Sequence, residues 1–535
     1  MKTMIRRSFL TVLLTAAAFS AGAQDIYDAF SLSENHYGGT ARSIGLGNAM
    51  TAVGGDLGSL TLNPAGSAVA GYSQFTITPN ISVSTITSQG DEYGLSDKIK
   101  TNHTRFNLYN IGATIDYNTG NLYGIKRYSF GFVANSSQNY LSDLFASGIN
   151  NQTSFMGYYA DASNGFSSAD LNLRSAFQDY SPAYWHSILA YQSGMIATNN
   201  ADANEYIAAS EVVYPDGTIG VGGDLDQIFG RQILGSKTDL LFNVAVNVND
   251  ILYLGANLGL VTASYRRDFY IQETAVNDND FALDFGAEGI KYFNRGRIRE
   301  ALNWDASGVY AKIGAILTPG AGFRIGAAIQ TPTAMTVNER YSMSGFTRYR
   351  GGDGDAECYS PTNEYSFGVK NPYRYNFGVA WTLGNVLLLS ADYEACDYST
   401  MRLRSADNWP ADTNLYAGEN QEIRKSFGVS QMLRAGLEVK PVPAIALRVG
   451  YNLTTSPELT GDGKYVDADR TSVALGLGYS SNGSFFADFA LRGAFWEDYV
   501  LPYGNNYENA PDVLCPEIHN DRSLWDFTCT FGWRF

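Results

Sequence analysis

Along the C-terminal segment, apolar and polar residues alternate strictly. Trp525, Phe527, Cys529, Phe531, Trp533 and Phe535 fall on one side, and Asp526, Thr528, Thr530, Gly532 and Arg534 on the other. A period of two predicts a β-strand with one greasy face and one polar face. The pattern recurs in Val473, Leu475, Leu477 and Tyr479 against Ser472, Ala474, Gly476 and Gly478, and again in Ile445, Leu447, Val449 and Tyr451. Such strands pair across short turns at Ser481-Asn482-Gly483, Pro441-Val442-Pro443, Gly384-Asn385, Pro319 to Gly322, Asn249-Asp250 and Asn118-Thr119-Gly120. Each turn carries the Gly, Pro, Asn or Asp that a tight hairpin requires. These six turns alternate with seven long connections, at roughly 87–101, 137–238, 276–300, 346–363, 404–430, 456–469 and 501–522.

Fourteen antiparallel strands follow from that count. Short turns on one side and long loops on the other are the asymmetry of an outer-membrane β-barrel, with the turns in the periplasm. The fold class expected is therefore all-β: a 14-stranded antiparallel transmembrane barrel over residues 71–535. At about 9–11 residues per crossing, fourteen strands need only about 150 residues in the membrane. Most of the chain is then extramembrane or extends the wall outward. In the longest loop, Ser181 to Tyr191 is rich in Tyr, Trp and Ala and predicts a short helix whose aromatics pack the loop's own core.

Composition agrees with a barrel. Charged residues are only 17%, below the roughly 25% of soluble domains, while Tyr (36), Phe (29) and Gly (55) are abundant. Met1 to Ala23 reads as a secretory signal: Lys2, Arg6 and Arg7, an apolar core from Phe9 to Phe19, and a small-residue site at Ala21-Gly22-Ala23. No Cys follows that site, and no later run of eighteen apolar residues would make a spanning helix. The net charge of −16 becomes three units more acidic once the signal is removed, which argues against nucleic acid as a partner. Of four Cys, Cys396 and Cys529 sit in strand patterns, whereas Cys358 and Cys515 fall in outer loops where an oxidising compartment would let them pair. No Cys/His spacing suggests a metal, and no cofactor is expected.

Residues 24–70 do not alternate. They run Gly39-Thr40-Ala41-Arg42-Ser43-Ile44-Gly45-Leu46-Gly47-Asn48, then Gly54-Gly55-Asp56 and Asn63-Pro64-Ala65-Gly66. Small residues let backbone approach backbone, as a segment threaded inside a barrel needs. The Gly-Thr-Ala-Arg-x-x-Gly-x-Gly stretch, the Gly-Asp pair and the Asn-Pro-Ala motif resemble the N-terminal hatch of the FadL/TodX family of outer-membrane transporters of long-chain fatty acids and hydrophobic compounds. Tyr393-Glu394 through Met401 resembles a family strand segment. The resemblance implies a hatch whose gating positions are Gly39, Arg42, Gly45, Gly47, Asp56, Asn63, Pro64 and Ala65. It also implies passive uptake of a hydrophobic small molecule, captured by outer loops and released past the hatch or sideways through a kinked strand. A terminal Phe535 with Trp533 resembles the signal read by the barrel assembly machinery, so that machinery and outer-membrane lipid are expected partners.

Inward strand positions carry Arg324, Arg434, Glu438, Arg448, Asp488, Arg492 and Arg534. Buried charges need partners. They are expected to form an ionic belt against the hatch, with Arg42 and Asp56 as partners, or alternatively to pair a substrate carboxylate with Arg. The 137–238 loop is longer than the family's usual outer loops, which motivates a second reading: a non-transporting barrel that docks in a secretion or assembly complex, as some FadL-like barrels do in type IX secretion. A haemin receptor has only His36 and scattered Tyr behind it. An enzyme is not expected, since no Gly-x-Ser-x-Gly elbow is evident and His residues are few.

Overall fold

The structure, a computed structural model, describes residues 26–199, 202–277, 279–284, 289–406, 414–481, 484–504 and 515–535. The predicted signal, residues 1–23, and the turn positions Asn482 and Gly483 lie outside the described residues. Fourteen strands form one closed antiparallel barrel. They are β1 (Gln74–Gln89), β2 (Ile99–Asn118), β3 (Ile125–Asn150), β4 (Leu225–Val248), β5 (Leu252–Ala275), β6 (Ile290–Gly320), β7 (Phe323–Gln330 and Ala334–Tyr349), β8 (Asn363–Lys370 and Arg374–Leu383), β9 (Leu387–Asp397 and Arg402–Ser405), β10 (Val429–Val442), β11 (Ile445–Thr454), β12 (Arg470–Ser480), β13 (Phe485–Val500) and β14 (Ile518–Arg534). The sheet closes where β14 pairs with β1, from Gln74 opposite Arg534 to Gln89 opposite His519.

Around the membrane belt, closure leaves no free edge, the condition for strands to cross hydrocarbon. The outward residues confirm which medium they meet. Phe106, Ile115, Phe377 and Leu475 are all 60% exposed or more, in a belt that rises from the short turns. Above it the outward positions turn polar, as with Thr336, Asn338 and Arg340 on β7. The chain is an outer-membrane β-barrel. Among the described residues no helix is long and apolar enough to cross a membrane.

The strands continue well past the belt. β3 runs 26 residues to Asn150 and β4 begins at Leu225, so the longest connection is shorter than the polarity pattern suggests. Outward side chains there face water, and the apolar half of the alternation disappears while the backbone ladder goes on. The loop between them folds over the mouth, carrying helices Phe155–Ser163 and Trp185–Gln192. Trp185 meets Phe177 within the loop and Tyr341 on the wall, at ring distances of 5.4 and 6.1 Å, so the loop packs on the barrel as well as on itself. Three neighbouring strands are interrupted at one height, by Thr331-Pro332-Thr333, Asn371-Pro372-Tyr373 and the turn Tyr398–Thr400. Proline has no N–H for the ladder, which accounts for the first two breaks. All four Cys are unbridged, so the pairing considered for Cys358 and Cys515 is not formed.

Candidate functional site

From Ile26 to Ala70 the chain fills the lumen. It begins with helix α1 (Ile26–Ser33) and continues through α2 (Ala41–Gly45) and two single turns, Leu57–Thr61 and Pro64–Gly66. Each of the last three elements is started by its own side-chain cap: Thr40 Oγ1 accepts from Ser43 N, Asp56 from Gly58 N at 2.8 Å and Asn63 from Ala65 N at 3.1 Å. Gly39 (φ 104°) and Gly47 (φ 63°) take left-handed backbone that suits glycine.

So irregular a segment leaves many carbonyls without helical partners, and a buried carbonyl must be satisfied somewhere. The wall supplies the donors. Arg324 Nη1 donates to Val53 O at 2.7 Å, Lys312 Nζ to Thr61 O at 2.7 Å, Asn257 Nδ2 to Leu60 O at 2.7 Å and Asn243 Nδ2 to Pro64 O at 2.9 Å. Arg492 Nη1 donates to Tyr37 O at 2.8 Å and Arg434 Nη1 to Asn48 O at 3.3 Å. Higher up, Lys237, Asn371 and Arg374 cap the C-terminal carbonyls of α1 at Leu32 and Ser33. Asn63 works in the opposite sense, donating Nδ2 to Thr51 O at 2.8 Å and to the wall's Ala315 O at 3.0 Å.

Glycines on the inner wall make this closeness possible. A Cβ on Gly450 would stand 2.0 Å from Gly47 N, and one on Gly314 would stand 2.1 Å from Asn63 Oδ1. Gly255, Gly326 and Gly436 meet Pro64-Ala65, Thr51 and Leu46 in the same way. The hatch sequence carries small residues, but the wall gives way at least as much.

A chain of ion pairs ties the two together. Arg42 Nε lies 3.1 Å from Glu438 Oε2, the same oxygen lies 2.6 Å from Arg448 Nε, and Arg448 Nη1 lies 2.6 Å from Asp488 Oδ1. A second cluster joins Arg434 and Arg374 to Glu394, which also accepts from Tyr37 Oη at 3.0 Å. Arg492 pairs with Asp526 at 2.7 Å. Asp56 turns inward to the hatch itself, bound by Thr40 Oγ1 at 2.6 Å. Arg534 stacks over Tyr72 and Phe486 near the barrel's end. Trp533 packs outward between Phe75 and Phe485, and Phe535 pairs its backbone with Ser73. Sequence reasoning missed Glu394, Arg374, Lys312 and Asp392, the last accepting Thr51 N at 2.7 Å. Their signal was available: all are charges at inward positions of alternating strands.

Above the hatch lies a chamber of about 220 Å³, lined by Phe30, Met432, Tyr398 and Arg470 among others, with Glu34 and His36 on its floor. His36 is engaged, its Nδ1 2.7 Å from Gln138 Oε1 and its Nε2 3.3 Å from Glu34.

No family model and no curated protein matches the chain. Among solved structures it is similar to a FadL homologue of Pseudomonas aeruginosa, over 94% of this chain and 99% of that one, with TM-score 0.51 and 14% identity. The chain has the FadL fold. Two toluene transporters are similar as well: TbuX of Ralstonia pickettii covers 93% of this chain and 98% of its own, with TM-score 0.46 and 14% identity. TodX of Pseudomonas putida covers 94% and 100%, with TM-score 0.47 and 12% identity.

Proposed function

We propose that the chain is a FadL/TodX-type channel for passive passage of small hydrophobic molecules across the outer membrane, gated by residues 26–70. The observation that carries this reading is the nature of the plug. It is held by side-chain donors on backbone carbonyls, each net worth about 0.5–1.5 kcal/mol when neutral and about 1.5–3 kcal/mol when charged, and by a few ion pairs, rather than by strands shared with the wall. Such a plug can shift piecemeal while the barrel stays closed. Gly39, Arg42, Gly45, Gly47, Asp56, Asn63, Pro64 and Ala65 act in this reading as the parts that move against Glu438, Arg448 and the wall glycines. The P. aeruginosa neighbour is a FadL homologue, which supports the FadL-type reading. The chamber is below the roughly 300–1,000 Å³ of drug-sized ligand sites, which favours compact cargo over an entire long-chain fatty acid in this conformation.

Uptake tests the proposal. A strain lacking the protein should accumulate labelled monoaromatic or medium-chain substrates more slowly than its parent, and complementation should restore the rate. Equal uptake in both, together with no binding by the purified barrel, would sink it. The docking alternative draws on the mouth-covering loop, where Leu173, Tyr184, Val213 and Tyr214 are exposed. A stoichiometric partner in pull-downs of the solubilised protein is what that reading expects.

A further inference from the structure

The wall is uneven above the membrane. The hairpin of β11 and β12 stops at the pair Thr454–Arg470, and β12 last meets β13 at Thr471–Phe495. β13 nevertheless continues to Val500, still paired with β14 on its other side. Among the described residues, the edge from Trp496 to Asp498 therefore has no strand beside it on the β12 side, and the chamber reaches the wall at that gap. Arg470 stands there with its guanidinium carbon 4.1 Å from the centre of the Trp496 ring.

The charges around the gap are satisfied unequally. Asp498 is paired with Arg522 at 2.6 Å, and Arg374 with Glu394 at 2.9 Å. The Glu34 carboxylate bonds to the neutral Gln138 and the ring of His36, and the charges of Arg470, Lys237 and Arg374 act on it from beyond ion-pair distance. Among the described residues, the Glu458 carboxylate has no side-chain donor and Arg470 no carboxylate within ion-pair distance, although both line the same chamber and the charge of Glu34 acts on Arg470. Burial and the charges of Glu34 and Asp498 raise Glu458 to about 7, while Glu34 is raised by its own burial. Among the described residues the chamber thus holds two carboxylates and one guanidinium that act on one another without a direct ion pair, so each can still take a hydrogen-bonding partner of opposite charge. Phe30, Met432 and Tyr398 line the same chamber and offer an apolar surface to a compact body.

We infer that this chamber binds small zwitterions with an apolar or aromatic body, the ammonium group facing Glu34 and Glu458 and the anionic group meeting Arg470 against Trp496. Arg is suited to the second role because its planar fork takes a carboxylate bidentately and its face stacks on an aromatic ring at once. A volume of about 220 Å³ corresponds to about seven waters at roughly 30 Å³ each, enough for a benzyl-sized body with a charged head. The inference rests on the channel reading, since it names the cargo class of that chamber.

Four ligands that share one body separate the charges: phenylalanine, 3-phenylpropionate, 2-phenylethylamine and toluene. Binding to the purified full-length barrel is measured by calorimetry at pH 8, where Glu458 is ionised. Phenylalanine should bind at least tenfold tighter than either singly charged analogue and tighter again than toluene. Arg470→Gln should cost phenylalanine and 3-phenylpropionate about tenfold and leave 2-phenylethylamine unchanged. Glu458→Gln should do the reverse. Both variants should migrate as folded barrels on unheated gels, which separates loss of binding from loss of fold. Toluene binding as tightly as phenylalanine, or either variant leaving the order unchanged, overturns the inference. Uptake of neutral hydrocarbons with no charge preference in binding leaves the channel reading standing and this one refuted. Charge-selective binding with no uptake of any of the four refutes the channel reading and leaves the site.

Discussion

Glu438 is the hinge of the lower ion-pair chain, and replacing it by Gln tests whether that chain holds the hatch. The carboxylate is 3% exposed and accepts from both Arg42 and Arg448. Removing one member of a buried pair costs about 3–5 kcal/mol, because the partner stays buried and unpaired. Two features place this case at the lower end. Arg448 keeps Asp488 at 2.6 Å, and the Arg42 side chain is 22% exposed, so water can reach it. About 3 kcal/mol lost from the docked state raises the open fraction of the hatch by about a hundredfold, at 1.4 kcal/mol per decade. Hydrogen exchange reads that ratio directly at the amides of residues 39–50, which open with the hatch while β10 and β11 remain paired. Arg42→Gln should have a smaller effect, since Glu438 retains Arg448. Exchange at 39–50 within threefold of the parent in a folded Glu438→Gln barrel would refute the reasoning.

Gly450→Ala puts a methyl group 2.0 Å from the Gly47 backbone nitrogen, with no flexible side chain to yield, so the hatch should be displaced on that side. Steady ion conductance from an otherwise folded barrel is the expected outcome, and a silent one would contradict it. Glu458, in the loop after β11, is raised from an ordinary 4.5 to about 7 by burial and by neighbouring carboxylates. Its folded-state value exceeds the unfolded one, so the folded chain holds a proton that the unfolded chain has lost. The stability of its loop should therefore fall as pH rises from about 4.5 to 7, by up to about 2–3 kcal/mol, and Glu458→Gln should flatten that slope in exchange measurements over residues 455–469. Deleting Phe535 removes the two backbone bonds to Ser73 where the barrel closes, and the yield of heat-modifiable protein in outer-membrane fractions should fall severalfold.

Much of the barrel was legible because alternation and turn chemistry act locally. Asn249 and Asp250 both have positive φ, as the hairpin they were assigned demands. The strand extensions were not legible, for a physical reason: past the lipid belt nothing requires apolar outward residues, so Ser137 to Asn150 reads as loop while pairing with β4 from Gln138 onward. The breaks in β7 and β8 were written in Pro332 and Pro372, but a proline in a strand pattern tells of an interruption only once the neighbouring register is known. At the candidate site, Arg42 and Glu438 were separately visible as charges in apolar surroundings, whereas their pairing joins positions 396 residues apart. That Arg470 and Glu458 line one chamber without a direct ion pair could not be read at all, because it depends on β11 and β12 ending early beside a β13 that does not.

The central claim, a barrel closed by its own removable plug, is tested most directly by a pair of conductance traces in planar bilayers. The full chain should be nearly silent, and the chain lacking residues 25–66 should conduct steadily. Equal conductance from the two, whether both open or both closed, would contradict the account.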